Sequence, residues 1–188
     1  MDKRSQRTRD ALLEAMVVLM QEKPWEAITI REICEEADIA RSTFYIHFAG
    51  KSELQEYGLR FLELELRAMP TSRSLDEDGK LGHLPCILQI MMAPQHQFLF
   101  KDAQSSPAAS LARSKMSAVA FDLIENEIRS SRYFGQNSEL SIHFIAAGVQ
   151  MAVHQWHQQS VESGLGLMLE ELDGIISRTL QDTRLLTS

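Results

Sequence analysis

Cysteine is nearly absent: Cys34 and Cys86 are the only two in 188 residues. That is too few for a disulfide scaffold, and neither has a second pair at metal-ligand spacing. Both read as small core residues, and a reducing cytoplasm is the expected compartment. Proline and glycine are also sparse, at five and nine. This disfavours a turn-dense all-β design and favours long helices. No run approaches the ~20 apolar residues of a membrane span, and the N-terminal MDKRSQRTRDALLEAM has no apolar signal core, so no membrane partner is expected. Positive charge is in deficit: 19 Lys plus Arg against 26 Asp plus Glu leave a net charge of −7, which argues against a uniformly basic nucleic-acid coat protein. No glycine-rich phosphate loop, nucleophile elbow or paired metal motif occurs, so neither an enzyme nor a cofactor is expected.

What remains is a globular composition, 44% hydrophobic and 24% charged, arranged with helical periodicity almost throughout. The fold class is all-α. Leu12, Leu13, Met16, Val17, Leu19 and Met20 repeat at helical spacing until Lys23-Pro24, where the proline ring removes a donor and ends the helix. Thr29-Ile30-Arg31-Glu32 reads as a capping box, in which the Thr29 oxygen accepts an N–H and Glu32 reaches back. A short helix through Ile33, Cys34 and Ala37, a turn at Asp38-Ile39 and a second short helix from Ala40 to Phe48 follow. A long helix opens at Ser52, with an apolar face of Leu54, Tyr57, Phe61, Leu62, Leu64 and Leu66. Two short helices joined by a turn and braced by longer ones make a helix-turn-helix.

The second short helix divides into two faces. Phe44 and Phe48 fall on one and should pack on Ile33, Ala37, Ile39 and Leu54. The other holds Ser42, Thr43, Tyr45 and Ile46, flanked by Arg41 and His47. Such a helix suits the major groove of double-stranded DNA, where side chains meet base edges and phosphates. Thr29 and Arg31 at the start of the preceding helix, and Lys51 at the start of the following one, are placed to hold phosphates.

At these residues the chain resembles the TetR (TetR/AcrR) family of bacterial transcription regulators. The resemblance covers residues 7–65 and is most specific at Thr43-Phe44-Tyr45, His47-Phe48 and Lys51. It departs at Asp38, where Gly is frequent, at Ala40, where Ser or Thr is frequent, and at Ser42, where Gly is common. Residues 1–51 carry eight Lys/Arg and nine Asp/Glu. DNA binding therefore requires Arg4, Arg7, Arg9, Arg31, Arg41 and Lys51 on one side, and Glu35, Glu36 and Asp38 on the other.

The expected organisation is a helix-turn-helix head at 1–51 (motif at 29–48), a connecting helix at 52–69, a polar linker at 70–80 and a helical effector-binding and dimerisation domain at 81–188. Met91, Phe98, Met116, Phe121, Phe144, Met151 and His154 are candidates to line an effector pocket. His143, His154 and His157 lack the partners of a metal site. Leu165, Met168, Leu169, Leu172, Ile175 and Ile176 form one seam of the last helix. With Trp156 and the small residues Ala146, Ala147, Gly148 and Ala152, that seam is expected at a homodimer interface. The resemblance implies a dimeric repressor, released from an inverted-repeat operator by a small-molecule effector. The alternative keeps the DNA head but gives the C-terminal half a protein partner, with the irregular stretch 95–110 as its contact.

Overall fold

The structure is a computed structural model and describes residues 3–71, 73–97, 106–135, 138–158 and 164–185; among these every regular element is helical. Helix α1 (Lys3–Glu22) turns Leu12, Ala15, Met16, Leu19 and Met20 inward. It stops before Pro24, and a single 3-10 turn (Trp25–Ala27) buries Trp25. Helix α2 (Ile30–Glu36) begins at the expected capping box. The Glu32 N–H donates to Thr29 Oγ1 at 3.2 Å, while the Thr29 N–H donates to Glu32 Oε2 at 2.8 Å.

The turn into α3 (Arg41–His47) is a Schellman closure. Ile39 N–H donates to the Cys34 carbonyl at 2.9 Å and Asp38 N–H to that of Glu35 at 3.3 Å. It puts Asp38 at φ +53°, the left-handed region, which glycine adopts without steric cost. The departure at Asp38 therefore has a backbone reason. Ala40 is the N-cap of α3 and has no side-chain acceptor for the orphan N–H groups. Ala40→Ser is expected to raise stability by about 1 kcal/mol, read by urea denaturation.

Helix α4 (Lys51–Ala68) belongs to both halves of the molecule. Leu54 and Tyr57 join the head core, with Leu12, Trp25, Ile33, Phe44 and Phe48. Leu59, Leu62 and Leu66 join the body core. Gly58 sits where α1 crosses α4: a Cβ there would lie 2.8 Å from Leu13 Cδ1 and 3.1 Å from Met16 Cε, so a larger residue would displace those two side-chain ends. Phe61 and Leu64, expected on the buried face, are exposed instead.

The body consists of α5 (Leu75–Asp78), α6 (Leu84–Met91), a 3-10 turn (Pro94–His96), α7 (Pro107–Arg129), α8 (Ser138–Gln158) and α9 (Leu165–Leu185). Within the stretch expected as a polar linker, 70–80, Leu75 packs into this core, as does Leu81 just after it. Both are buried, and Gly79 ends α5 at φ +70°. Polar composition concealed this, because the two leucines carry the packing. Arg73 forks onto Asp173 of α9, its Nη2 lying 3.1 Å from Oδ1 and its Nη1 pairing with Oδ2; Nη2 also donates to the Leu81 carbonyl at 2.7 Å.

Candidate nucleic-acid interface

Helix α3 presents its two faces as the spacing requires. Phe44 and Phe48 are buried with ring centroids 5.8 Å apart, while Arg41, Ser42, Tyr45 and Ile46 are exposed. Tyr45 is 51% exposed and meets the Phe44 ring edge-on at 5.5 Å, an apolar contact that supports its phenol from below. Ile46 is 78% exposed. Burying such a side chain is worth roughly 1.5–3 kcal/mol, so a bare isoleucine among polar neighbours marks a surface that gains from a partner. Thr43 and His47 are half-buried, and the Ser5 hydroxyl lies 3.5 Å from His47 Nδ1.

Several residues expected to face DNA have partners within the head. The Arg9 guanidinium lies over the rings of Phe48 and Tyr57, at 5.4 and 5.5 Å, and reaches toward the His47 carbonyl. Tyr57 accepts from Gln6 Nε2 at 2.7 Å and donates to Asp10 at 3.2 Å, tying α4 to α1. The Lys51 ammonium donates to the carbonyls of Trp25, at 2.7 Å, and Ile28, and lies 4.4 Å from the Trp25 ring centroid. Burial lowers its pKa, against the fields of Glu26 and Glu32. Thr29 directs its hydroxyl proton to Glu32 Oε2 at 2.8 Å, so that donor serves the helix cap. Arg9, Lys51 and Thr29 thus have structural partners that residue type and spacing do not disclose. Arg31, by contrast, makes only an exposed pair with Glu35 at 2.7 Å, the kind of bond a phosphate can exchange.

Glu32 accepts from Lys23 and from the N–H and hydroxyl of Thr29, which hold its carboxyl down to about 2 from 4.5. A carboxyl lowered on folding stabilises above its unfolded pKa and loses that contribution as pH falls through its folded one. Unfolding midpoints are therefore expected to fall between about pH 4.5 and 2 more steeply in the native sequence than in Glu32→Gln. Matched slopes would contradict the capping role. Cys34 stays inert: burial pushes its thiol up despite Arg41 nearby, which disfavours the reactive thiolate.

A further contact, unmarked in the sequence, joins head to body. Glu26, in the turn before α2, accepts from the Ala108 N–H at 3.2 Å and the Ser106 hydroxyl at 3.1 Å, at the start of α7. Ser106 caps that helix through the Ala109 N–H at 3.2 Å. Burial alone would raise the Glu26 carboxyl, but these donors and the Lys51 charge outweigh it and hold the pKa low. The contact spans 80 residues of chain, beyond the reach of any local pattern.

The expected effector-pocket set does not assemble into one cavity. Met91, Met151 and His154 line an open groove of about 480 Å³ between α7 and α8, with Arg113 and Gln150. Met116 is buried beside a void of about 10 Å³. Phe121 packs on the His143 ring at 5.2 Å, and Phe144 faces outward, 63% exposed. Phe98 and half of the irregular stretch 95–110, residues 98–105, lie outside the described residues. His157 Nε2 bonds the Met91 carbonyl at 3.0 Å and His143 Nδ1 the Glu139 carbonyl at 2.7 Å; among the described residues no three potential metal ligands converge.

The seam of α9 also divides. Leu172 and Ile176 are buried within the subunit, and Trp156, Met168 and Leu169 pack against the same core. Leu172 and Ile176 thus have little surface left, whereas Trp156, Met168 and Leu169 are only partly buried and Leu165 and Ile175 remain exposed, with Leu167 beside them. On α8, Phe144, Ala147, Gly148 and Met151 are exposed at helical spacing. No described helix is long and apolar enough to cross a membrane.

A helix-turn-helix whose second helix is backed by aromatic rings and shows a polar outer face defines the class: a DNA-binding fold of transcription regulators. Residues 12–57 match the model of the bacterial regulatory proteins of the tetR family. A stretch of 54 residues is 44% identical to an uncharacterized HTH-type transcriptional regulator of Bacillus subtilis, YxbF. That stretch is 28% of this chain and 14% of the relative's length, far less than two thirds of that protein. Among solved structures, a TetR transcriptional regulator from Streptococcus agalactiae 2603V is similar over 93% of this chain and 96% of its own, at 20% identity and TM-score 0.63. The fatty acid degradation regulator FadR from Bacillus halodurans is similar over 89% and 97%, at 13% identity and TM-score 0.65. The dihydroxyacetone kinase operon activator DhaS is similar over 93% and 96%, at 18% identity and TM-score 0.65. These structural likenesses concern the fold. The head, residues 12–57, is thus similar to the DNA-binding part of the tetR family of regulators.

Proposed function

We propose that this chain is a dimeric, cytoplasmic transcription regulator that reads an inverted-repeat operator with α3, and that a small molecule releases it. The exposed face of α3, with Ser42, Tyr45 and Ile46 clear of the core and Arg41 at its start, is the observation that carries the reading. Thr43 and His47 flank that face, and Arg31 offers an exchangeable cation from α2. Lys51 uses two donors on carbonyls, and its third N–H is assigned to a phosphate. A two-fold operator needs a two-fold protein. The bare apolar faces of α8 and α9, including Phe144 and Met151 (57% exposed) on the first and Leu167 and Ile175 on the second, support self-association as the surface that supplies it. Repression is the proposed sign. The activator DhaS has a similar fold, so the sign rests on where the operator lies and is read with a reporter gene.

Selection of bound DNA from a random-sequence pool tests the proposal. The native protein is expected to enrich an inverted repeat and Tyr45→Ala to enrich none; failure of both, or success of both, overturns the reading of DNA through α3. On the selected site, affinity should fall with salt by about 0.9 log units per log unit for each phosphate neutralised. A salt-independent affinity would sink it.

A further inference from the structure

We infer that the crevice between head and body is a binding site for a lipophilic cation. A cavity of about 650 Å³ opens between α1, α4 and the first turns of α7, within the range of small-molecule sites. Its floor is apolar, with Val17, Leu62 and Ala112, and its wall includes the partly exposed Val18 and Phe61. Its lining is acidic: Asp10, Glu14 and Glu65 contribute carboxylates, among the described residues no lysine or arginine lines it, and the His96 imidazole at its edge has Nδ1 on the Ile90 carbonyl at 2.7 Å. Asp10 is already held by Gln6 and Tyr57, leaving Glu14 and Glu65 as the carboxylates without such a clamp. An apolar body would displace water from the floor, and a delocalised positive charge would sit against the acidic wall. An anion would face the three carboxylates there.

The position of the crevice gives the site a consequence. Its walls come from α1 of the head and α7 of the body, and α7 is the helix whose N-terminus Glu26 grips. A bound molecule props α1 against α7 beside that grip, and so favours one setting of the head over another. In this respect the inference deepens the proposed effector release and rests on it.

Tetraphenylphosphonium and tetraphenylborate, alike in shape and opposite in charge, are the probes, titrated calorimetrically into the full chain without DNA. The phosphonium is expected to bind, the borate at least about tenfold more weakly, and Glu14→Gln with Glu65→Gln to weaken the phosphonium by roughly five- to tenfold. Val18→Trp, which fills the mouth from an exposed position, should abolish binding while thermal melting shows the fold intact. Absence of phosphonium binding, equal binding of the borate, or binding that survives Val18→Trp overturns the site. Operator affinity is a separate readout. Phosphonium that binds by these criteria but leaves operator affinity unchanged upholds the site and overturns effector release through it.

Discussion

Asp173→Ala is expected to lower the unfolding free energy by about 3–5 kcal/mol, the largest effect of any single charge in the molecule. The carboxylate is only 6% exposed, and both its oxygens engage the Arg73 fork. Truncating it leaves a guanidinium held among Leu81, Leu75 and α9 with one fixed acceptor, the Leu81 carbonyl. An uncompensated buried cation is far costlier than a lost surface pair, which is worth ~1 kcal/mol or less. The double variant Arg73→Met with Asp173→Leu removes both charges and should recover most of the loss, because paired burial contributes little net stability over an apolar replacement. Urea denaturation at one fixed protein concentration reads both, since self-association shifts the midpoint. A change under 1 kcal/mol in the single variant would mean that water reaches the pair. The same pair explains why the segment 70–82 is a strap on α9 rather than a hinge.

Tyr45→Ala should behave in the opposite manner: melting within about 0.5 kcal/mol of the native protein, but operator affinity sharply reduced. The phenol is half exposed and rests on Phe44 without a role in closing the core, so its removal costs the fold little. At a groove surface, each good base contact is worth about 1–3 kcal/mol, and a two-fold complex loses it at both half-sites. The expected loss is thus roughly 30-fold to about 20,000-fold, measured by fluorescence anisotropy on the selected operator. Phe48→Ala is the contrast. It removes a buried ring that also contacts Tyr57 and Arg9, and should weaken DNA binding only by unfolding the head. If Tyr45→Ala retains native affinity, α3 is not the reading helix.

The helix-turn-helix was legible in the residues because its determinants are local. A capping box acts over three residues, and the Phe44–Phe48 spacing sets which face of α3 turns inward before any other helix is placed. The turn at Asp38 was visible as a departure, and the left-handed backbone supplied its reason. The last helix was legible for the same cause: the seam from Leu165 to Ile176 lies within α9.

What pattern could not reveal was which surface covers an apolar face, or which donor a cation finds. Periodicity shows that Leu172, Ile175 and Ile176 share a stripe. It does not say that Leu172 and Ile176 close the subunit's own core while Ile175 is left outside. Lys51, Arg9 and Thr29 carry the right groups for phosphate. Their carbonyl, ring and carboxylate partners come from segments 3 to 48 residues away, and burial decides among them. The acidic crevice and the Glu26 grip on α7 arise only when α1, α4 and α7 are brought together. Local chemistry thus sets the elements and the reading face, whereas long-range packing sets their partners, because a side chain's neighbours in a folded chain are not its neighbours in sequence.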